Sequence, residues 1–173
     1  MKALKILPLL LLFIFASCSS VRVNQDYDKN ADFGQYKTYA FHKSGIDKVE
    51  VSDLDKKRIL RSIDEAMAAK GFTKSENPDV IINFFTKERE QVDVNQFNAG
   101  WGFGWNPWLW GGTTSVNRYT EGTLTIDVID AKKKELIWQG QGEGVLTKNV
   151  DKKDEKVKEF VSKILEQYPP KKK

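Results

Sequence analysis

One cysteine and one histidine limit the chemistry available to this 173-residue chain. Cys18 has no second cysteine for an internal disulfide, and His42 has no second imidazole for a metal site or a proton relay. Any metal would be held by carboxylates alone, and no EF-hand spacing is present. The chain also lacks a Gly-x-Ser-x-Gly elbow that could give His42 an activated nucleophile, so we assign His42 to the rim of a strand. We predict no bound metal and no cofactor.

Carboxylates are the remaining groups with catalytic potential. A glycosidase needs two of them about 5–10 Å apart, and Glu121, Asp127 and Glu143 lie on strands that we predict to be neighbours. A chain with 24 acidic residues brings carboxylates together without any catalytic role, so we interpret these three as charges on a solvent-facing surface. We therefore predict no catalytic residues and no enzymatic activity. A carboxylate-dependent periplasmic glycan hydrolase is the alternative.

Cys18 stands where a covalent modification would need it. Lys2 and Lys5 precede an apolar run over residues 6–15, which is followed by two small residues. This order is typical of a secretory signal peptide. Ten apolar residues span about 15 Å as a helix, half of the hydrocarbon core, which argues against a transmembrane anchor. The tetrapeptide Phe15-Ala16-Ser17-Cys18 resembles the bacterial lipobox, with Phe in place of the usual Leu, which implies that the Cys18 thiol is acylated.

Acylation of Cys18 would attach the rest of the chain to a membrane. Each buried methylene contributes about 0.8 kcal/mol, so two or three acyl chains hold a protein almost permanently. Residues 1–17 are then a signal peptide, and residues 18–25 are the acylated cysteine with its tether. Because Ser19 rather than Asp follows the cysteine, we predict a lipoprotein on the periplasmic face of the outer membrane. An ordinary signal peptide with an incidental cysteine is the alternative.

The charge balance argues against a nucleic-acid partner. The chain has 28 basic and 24 acidic residues. Lys2 and Lys5 leave with the signal peptide, and Lys171, Lys172 and Lys173 lie in a short basic tail, residues 169–173. Without these five lysines the count is 28 − 5 = 23 basic residues against 24 acidic ones. Nucleic-acid binding requires clustered Lys and Arg, and the remaining sequence has no such stripe.

Residues 98–112, NAGWGFGWNPWLWGG, form a segment rich in tryptophan and glycine, with four of the five tryptophans. In an extended chain the first three rings would point to one side, because they alternate with other residues. Bare apolar surface of this size marks a binding or membrane-contacting patch. The candidate binding residues are Trp101, Phe103, Trp105, Trp108 and Trp110.

Three interpretations of this segment stay open. The rings could dock on an envelope protein or stack on a glycan. They could instead sit at the headgroup level of the tethering membrane, as tryptophan does in interfacial belts. They could also fold back over a glycine-lined strand face as a minor core, in which case the protein could be a purely structural lipoprotein.

Two helices are predicted from apolar residues at helical spacing. The first begins at Ser52, where Ser52-Asp53-Leu54-Asp55 resembles a capping box, and it ends before Gly71. The second runs from Asp151 to Tyr168 and is ended by two prolines. A polar connection, Ile46 to Val51, precedes the first helix.

The other apolar stretches predict strands. We expect short strands at residues 21–25 and 36–41, a central strand over Val80–Phe85 covered on both faces, and a continuation at Val92 and Val94. Residues 113–130 and 135–145 form a hairpin. The returning strand has a face lined by Gly140, Gly142 and Gly144, which would let a ring or a crossing helix approach closely; Trp138 is assigned to the core.

The resulting order is β-β-α-β-β-β-β-α. A mostly antiparallel sheet needs its apolar face covered, and two amphipathic helices are enough to cover it. We predict a two-layer α+β fold in a single domain, residues 26–168, with residues 98–112 as a loop.

Several short tracts also carry a family resemblance. They are Asp26-Tyr27-Asp28, Tyr36-Lys37-Thr38-Tyr39-Ala40, Lys70-Gly71-Phe72, Pro78-Asp79-Val80, Tyr119-Thr120-Glu121-Gly122-Thr123-Leu124 and Leu136-Ile137-Trp138-Gln139-Gly140. With these tracts the sequence resembles bacterial lipoproteins that carry "domain of unknown function 4136". The resemblance implies an envelope lipoprotein with an α+β body, and it implies no catalytic residues. Our leading hypothesis is a non-catalytic binding or assembly module that uses the aromatic loop.

Overall fold

The computed structural model describes residues 21–96, 114–145 and 149–171. These residues form an open mixed sheet of six strands in the order β1-β6-β5-β4-β2-β3. The strands are β1 (Arg22–Tyr27), β2 (Thr38–Phe41), β3 (Thr73–Lys74), β4 (Val80–Gln96), β5 (Thr114–Asp130) and β6 (Leu136–Val145), and the helices are α1 (Lys43–Ile46), α2 (Asp53–Ala69) and α3 (Val150–Leu165). Only the pairings of β2 with β3 and β4 are parallel. The predicted α+β fold with a mostly antiparallel sheet is confirmed.

Helix α2 begins and ends where its sequence dictates. The Ser52 hydroxyl accepts a hydrogen bond from the Asp55 N–H at 3.1 Å and donates one to the Asp55 carboxylate at 2.8 Å, which satisfies one of the free N–H groups of the first turn. Gly71 has φ +82°, the left-handed conformation that closes a helix without steric cost. The Phe72 N–H then donates to the Met67 carbonyl, and its side chain is buried.

Helices α2 and α3 run in the same direction and pack on one face of the sheet. Lys153 bonds Asp55 at 2.9 Å, Arg58 bonds Asp154 at 2.9 Å, and Lys158 bonds Glu65 further along both helices. Ion pairs near the surface contribute little to stability. The stabilisation comes instead from one core, which joins both helices to alternate residues of the central strands, including Ile63, Val161, Ile164, Val80, Ile82, Phe84, Ile126 and Val128.

The glycine-lined face of β6 is approached closely, as the sequence predicts, and the approaching element is α3. A Cβ atom on Gly142 would lie 2.9 Å from two carbon atoms of Ile164. A Cβ atom on Gly140 would overlap the Trp138 ring and the Ile164 side chain. Trp138 is fully buried, in agreement with its assignment to the core, and its Nε1 donates to Gln25 Oε1 at 2.9 Å. At Gly140 and Gly142 the space is therefore taken by α3 and Trp138, which leaves no room there for the aromatic loop.

Several predicted boundaries are wrong. The supposed polar connection contains α1, and Ile46 and Val49 in it are buried. The two strand segments predicted between residues 80 and 94 are one strand, β4. This strand is not covered on both faces, because Phe85 is 48% exposed.

The observed order of elements also differs from the predicted one. It contains the additional helix α1 and the two-residue strand β3. The tether predicted over residues 18–25 overlaps the sheet, since Arg22 already pairs with Glu143 of β6. The sheet therefore begins earlier than the predicted domain boundary at residue 26.

Strands β4 and β5 extend past the rest of the sheet. Strand β6 ends at Val145, which lies opposite Glu121, and Glu121 lies opposite Arg89. Beyond that point residues 90–96 and 114–120 pair with each other and, within the described ranges, with no other strand. Seven residues of extended chain span about 24 Å. We call this two-stranded extension the β4–β5 arm.

Candidate functional site

The aromatic loop connects the two strands of the β4–β5 arm. Gln96 ends one strand and lies opposite Thr114, which begins the other, so residues 98–112 join the chain at the far end of the arm. The predicted lipidation residue and the predicted binding residues all lie outside the described residues; they are Cys18, Trp101, Phe103, Trp105, Trp108 and Trp110. The structure describes the β4–β5 arm, to whose far end the loop is connected.

The sheet face opposite α2 and α3 is polar, and we call it the polar face. Its residues alternate with the core residues of the same strands and align across them. The register sets Asp26 opposite Gln139, Gln139 opposite Asp127, and Asp127 opposite Asn83. Two further rows run parallel to this one; they are Asn24, Gln141, Thr125 and Phe85, and then Arg22, Glu143, Thr123 and Lys87.

The polar face brings two of the three candidate carboxylates together and separates the third. Glu143 lies opposite Thr123, and Glu121 is two residues further along β5. Such diagonal neighbours are about 7–8 Å apart, within the range that a glycosidase pair requires. Asp127 is four residues from Thr123 in the other direction, about 13 Å away. The structure therefore assembles a possible pair without assigning it any chemistry.

Both carboxylates of that pair have polar partners. Arg22 Nη2 lies 3.4 Å from Glu121 Oε1. Gln141 Nε2 donates a hydrogen bond to Glu143 Oε1 at 3.1 Å. A guanidinium and an amide are thus the polar neighbours of the two carboxyls. A hydrolase would need one of the two carboxyls to act as general acid.

Asp127 is the unusual carboxyl of the polar face. It is 8% exposed, and Gln139 Nε2 donates to its Oδ1 at 2.8 Å. Burial raises its pKa above the ordinary value of an aspartate, and the hydrogen bond from Gln139 opposes that rise only in part. Directly opposite, Asn83 is 5% exposed, and its Oδ1 has no hydrogen-bond partner among the described residues. That oxygen lies beside α1, where a Cβ atom on Gly45 would be 2.7 Å from it.

Asn83 was not identified from the sequence as a buried polar side chain. The available signal was one amide inside an otherwise apolar run, Val80–Phe85, because a buried amide usually requires specific partners.

His42 lies where the sequence predicted it, exposed at the end of β2. Its backbone N–H donates to the Ile82 carbonyl at 2.8 Å, which is the last link between β2 and β4. Its Nε2 atom lies 3.2 Å from the Ser44 hydroxyl oxygen. His42 is the N-cap residue of α1, and its backbone carbonyl accepts from the N–H groups of Gly45 and Ile46.

Two other partly or fully buried carboxylates are occupied by structural hydrogen bonds. Asp79 accepts from the N–H groups of Lys37 and Thr38 and from the Thr38 hydroxyl, and these donors lower its pKa. Asp130 accepts from two N–H groups of the following turn and from the Tyr36 hydroxyl at 2.8 Å. Burial and this contact raise the pKa of Tyr36 to about 12. These groups fix the β2, β4 and β5 ends and are not poised for catalysis.

Neither a metal centre nor a membrane-crossing helix is found in the part of the chain that the structure describes. No group of three or more His, Cys, Asp or Glu side chains within residues 21–96, 114–145 and 149–171 could hold a metal ion. Over the same ranges, no helix combines the length and the apolar character needed to cross a membrane.

The fold defines a small α+β domain with an open sheet, helices on one face, a polar opposite face and a projecting arm. Residues 23–170 match the family described as "Domain of unknown function (DUF4136)", and the chain belongs to that family. The sequence resemblance to this family is thereby confirmed. A search of curated proteins finds no match.

Solved structures with a similar fold are distant in sequence. One is a PDZ domain protein from Parabacteroides distasonis, with 19% identity and a TM-score of 0.52 over 89% of this chain and 37% of that chain. This chain therefore corresponds to little more than a third of that protein. Another is the PelC dodecamer from Paraburkholderia phytofirmans, with 12% identity and a TM-score of 0.48 over 84% of this chain and 95% of that chain. The first likeness concerns the fold alone.

Proposed function

We propose that this protein is an outer-membrane lipoprotein, anchored through an acylated Cys18, that acts as a non-catalytic binding or assembly module. The binding element is the aromatic loop, residues 98–112, and its partner is an envelope protein or a glycan. The observation that carries this proposal is the β4–β5 arm, which holds both ends of the loop about 24 Å beyond the last pairing with β6.

The arm supports a binding role because the aromatic loop follows directly on its far end. Each aromatic side chain can bury roughly 150–250 Å², and the loop carries Trp101, Phe103, Trp105, Trp108 and Trp110. The competing interpretation packs these rings on the glycine-lined face of β6. That interpretation is disfavoured at Gly140 and Gly142, where Ile164 and Trp138 occupy the space.

Cross-linking in intact cells tests the binding role. The test variant replaces Trp101, Trp105, Trp108 and Trp110 by Ala, and the matched control is Leu136→Ala, which removes an exposed apolar side chain from the body of the domain. We expect wild type and control to give the same cross-linked envelope proteins or glycan fragments and the loop variant to lose them. Identical products from all three proteins would overturn the binding role.

The anchor is tested separately by mass spectrometry of the mature N-terminus. We expect residues 1–17 to be absent and Cys18 to carry acyl chains. An unmodified Cys18 would contradict the lipoprotein assignment while leaving the role of the loop open to the cross-linking test.

The glycan hydrolase is kept as a second candidate because Glu121 and Glu143 are diagonal neighbours. It predicts turnover of peptidoglycan oligosaccharides by the purified protein, lost in Glu143→Gln and retained in Glu135→Gln, which changes an exposed carboxylate. We expect no turnover by the wild type, because each glutamate already has a polar partner on the polar face, Arg22 for Glu121 and Gln141 for Glu143. Turnover with the predicted loss in Glu143→Gln would replace our proposal.

A further inference from the structure

The lipid anchor would be joined to the domain by a very short tether. Val21 is 7% exposed, and a Cβ atom on Gly142 would lie 3.4 Å from Val21 Cγ1, so Val21 already belongs to the packed domain. Only Ser19 and Ser20 separate it from Cys18. Three residue steps span at most about 11 Å. The end of the domain that carries Val21 would therefore lie close to the membrane surface.

The β4–β5 arm leaves the domain at the same end. Arg22, the first residue of β1, aligns across the sheet with Glu143, Thr123 and Lys87. Lys87 and Thr123 lie at the base of the arm, because β6 ends two residues beyond Glu143. We call this end of the sheet the anchor end. The arm projects from it by about 24 Å, roughly twice the reach of the tether.

Both long helices begin at the anchor end. Helix α3 starts at Val150, shortly after β6 ends there, and runs back until Ile164 reaches Gly140 and Gly142. Helix α2 runs parallel to α3, as the contacts of Asp55 with Lys153 and of Arg58 with Asp154 show. The first turns of both helices therefore lie beside the end of β6.

Three exposed apolar side chains lie at this end. Val150 is 65% exposed, Leu54 is 62% exposed, and Val145 at the end of β6 is 42% exposed. We call these three residues the anchor-end patch. Elsewhere, Phe85 on the polar face is 48% exposed, and Leu136 at the start of β6 is 51% exposed. Singly exposed apolar residues are normal on a protein surface, so the patch matters because it lies at the end of the domain that the tether would hold nearest to the lipid.

We infer that the anchor-end patch contacts the phospholipid bilayer that holds the acyl chains of Cys18. This inference rests on the proposed acylation. It commits to a lipid surface because a tether of about 11 Å leaves little space for a protein between this end and the bilayer. The lipid chains and the patch then hold the domain in one orientation.

Site-directed fluorescence measures this orientation in the full acylated protein. Leu54→Cys and Val150→Cys place a label in the patch, and Leu136→Cys is the matched control at the other end. Acylation consumes the Cys18 thiol, so each variant has one reactive thiol. The proteins are reconstituted in phosphatidylcholine vesicles whose acyl chains carry bromine, which quenches nearby fluorophores.

We expect several-fold stronger quenching at positions 54 and 150 than at position 136. Equal quenching at all three positions, in protein that sediments with the vesicles, would overturn the inference while leaving the anchor intact. Failure of the acylated wild type to sediment with the vesicles would instead contradict the anchor, and the two failures are therefore distinguishable. A second measurement, acrylamide quenching from the aqueous side, must show the reverse order of positions.

Discussion

Asp127 is a local conflict within a well-packed sheet. Burial makes ionisation of its carboxyl costly, and the hydrogen bond from Gln139 offsets that cost only in part. A proton on Asp127 removes the cost, because the carboxyl becomes neutral. Below its raised pKa, Asp127 therefore suits its surroundings better than above it.

We predict that Asp127→Asn stabilises the domain at neutral pH by about 1 kcal/mol. The amide is neutral, and it can still accept from Gln139. The folded-state pKa of Asp127 lies above the unfolded value near 3.8, so the folded protein binds the proton more tightly. In wild type, stability is therefore lost as the pH rises from that value through the folded pKa.

Urea unfolding at several pH values checks this prediction. The gain from Asp127→Asn should shrink as the pH falls towards 3.8. The control Glu135→Gln changes an exposed carboxylate and should shift stability by less than about 0.5 kcal/mol. A destabilised Asp127→Asn at neutral pH would mean that the ionised carboxylate has a favourable partner.

The close approach of α3 to β6 gives a second prediction. Gly142→Ala should destabilise the domain by about 1–3 kcal/mol, because its Cβ atom would lie 2.9 Å from Ile164 Cδ1 and Cγ1. Ile164→Val removes the Cδ1 atom and alone should cost about 0.5–1.5 kcal/mol. In the double variant the loss of unfolding free energy, measured by urea unfolding, should be smaller than the sum of the two single losses. Strict additivity would show that the two residues do not contact each other.

At the scale of elements, the β4–β5 arm behaves as an appendage of the sheet. Its residues 90–96 and 114–120 pair with each other, while the core strands are joined over residues 80–88 and 122–130. A two-stranded hairpin alone is at best marginally stable in water. The arm therefore depends on the body of the domain, whereas the body has little dependence on the arm.

We predict that the body folds without the arm. In the test variant, Asn-Gly replaces all residues between Gln91 and Tyr119, which are partners across the hairpin. This change keeps the register and supplies a favoured two-residue turn. Its stability in urea should lie within about 1 kcal/mol of wild type, and it should lose the cross-linked partners. A variant that fails to fold would show that the arm or its loop packs against the body.

Local chemistry made part of this architecture predictable. Ser52 and Gly71 identify the ends of α2 because a hydroxyl cap and a left-handed glycine act within one turn. The glycine-lined face of β6 predicted a close neighbour because it depends only on missing side chains. Both features are encoded in residues that lie close together in the sequence.

Other elements depend on distant contacts and could not be predicted from the sequence. The charged residues after Phe85 suggested the end of a strand, but β4 continues there because residues 90–96 pair with residues 114–120 of β5. Helix α1 has four residues, too few for a helical period, and it packs through the buried Ile46 and through Gly45, which lies against Asn83. The parallel pairing of β2 with β4 joins segments separated by all of α2.

The candidate site, too, could be predicted from the sequence only in part. The sequence shows which residues carry aromatic rings and where an acyl group would be attached. It does not show that the base of the arm, the start of β1 and the exposed residues Leu54 and Val150 lie at one end of the domain, because that arrangement follows from strand register.

At the scale of the whole molecule, attachment to the membrane should depend on covalent lipid rather than charge. We predict that the wild type stays with the membrane fraction after a high-salt wash, whereas Cys18→Ser is released. Acyl chains are held by apolar burial, which salt does not screen. Ser20→Ala is the matched control and should behave as wild type. Retention of Cys18→Ser after the wash would mean that contacts of the folded domain alone are sufficient.

The course of α3 has a practical consequence. The helix begins at the anchor end, and beyond its other end Tyr168 packs against Trp138. If the anchor-end patch faces the bilayer as inferred, a fluorescent protein or an affinity tag fused to the C-terminus would leave the domain on the side of Trp138, away from that patch. Imaging and purification could then be carried out without disturbing the patch.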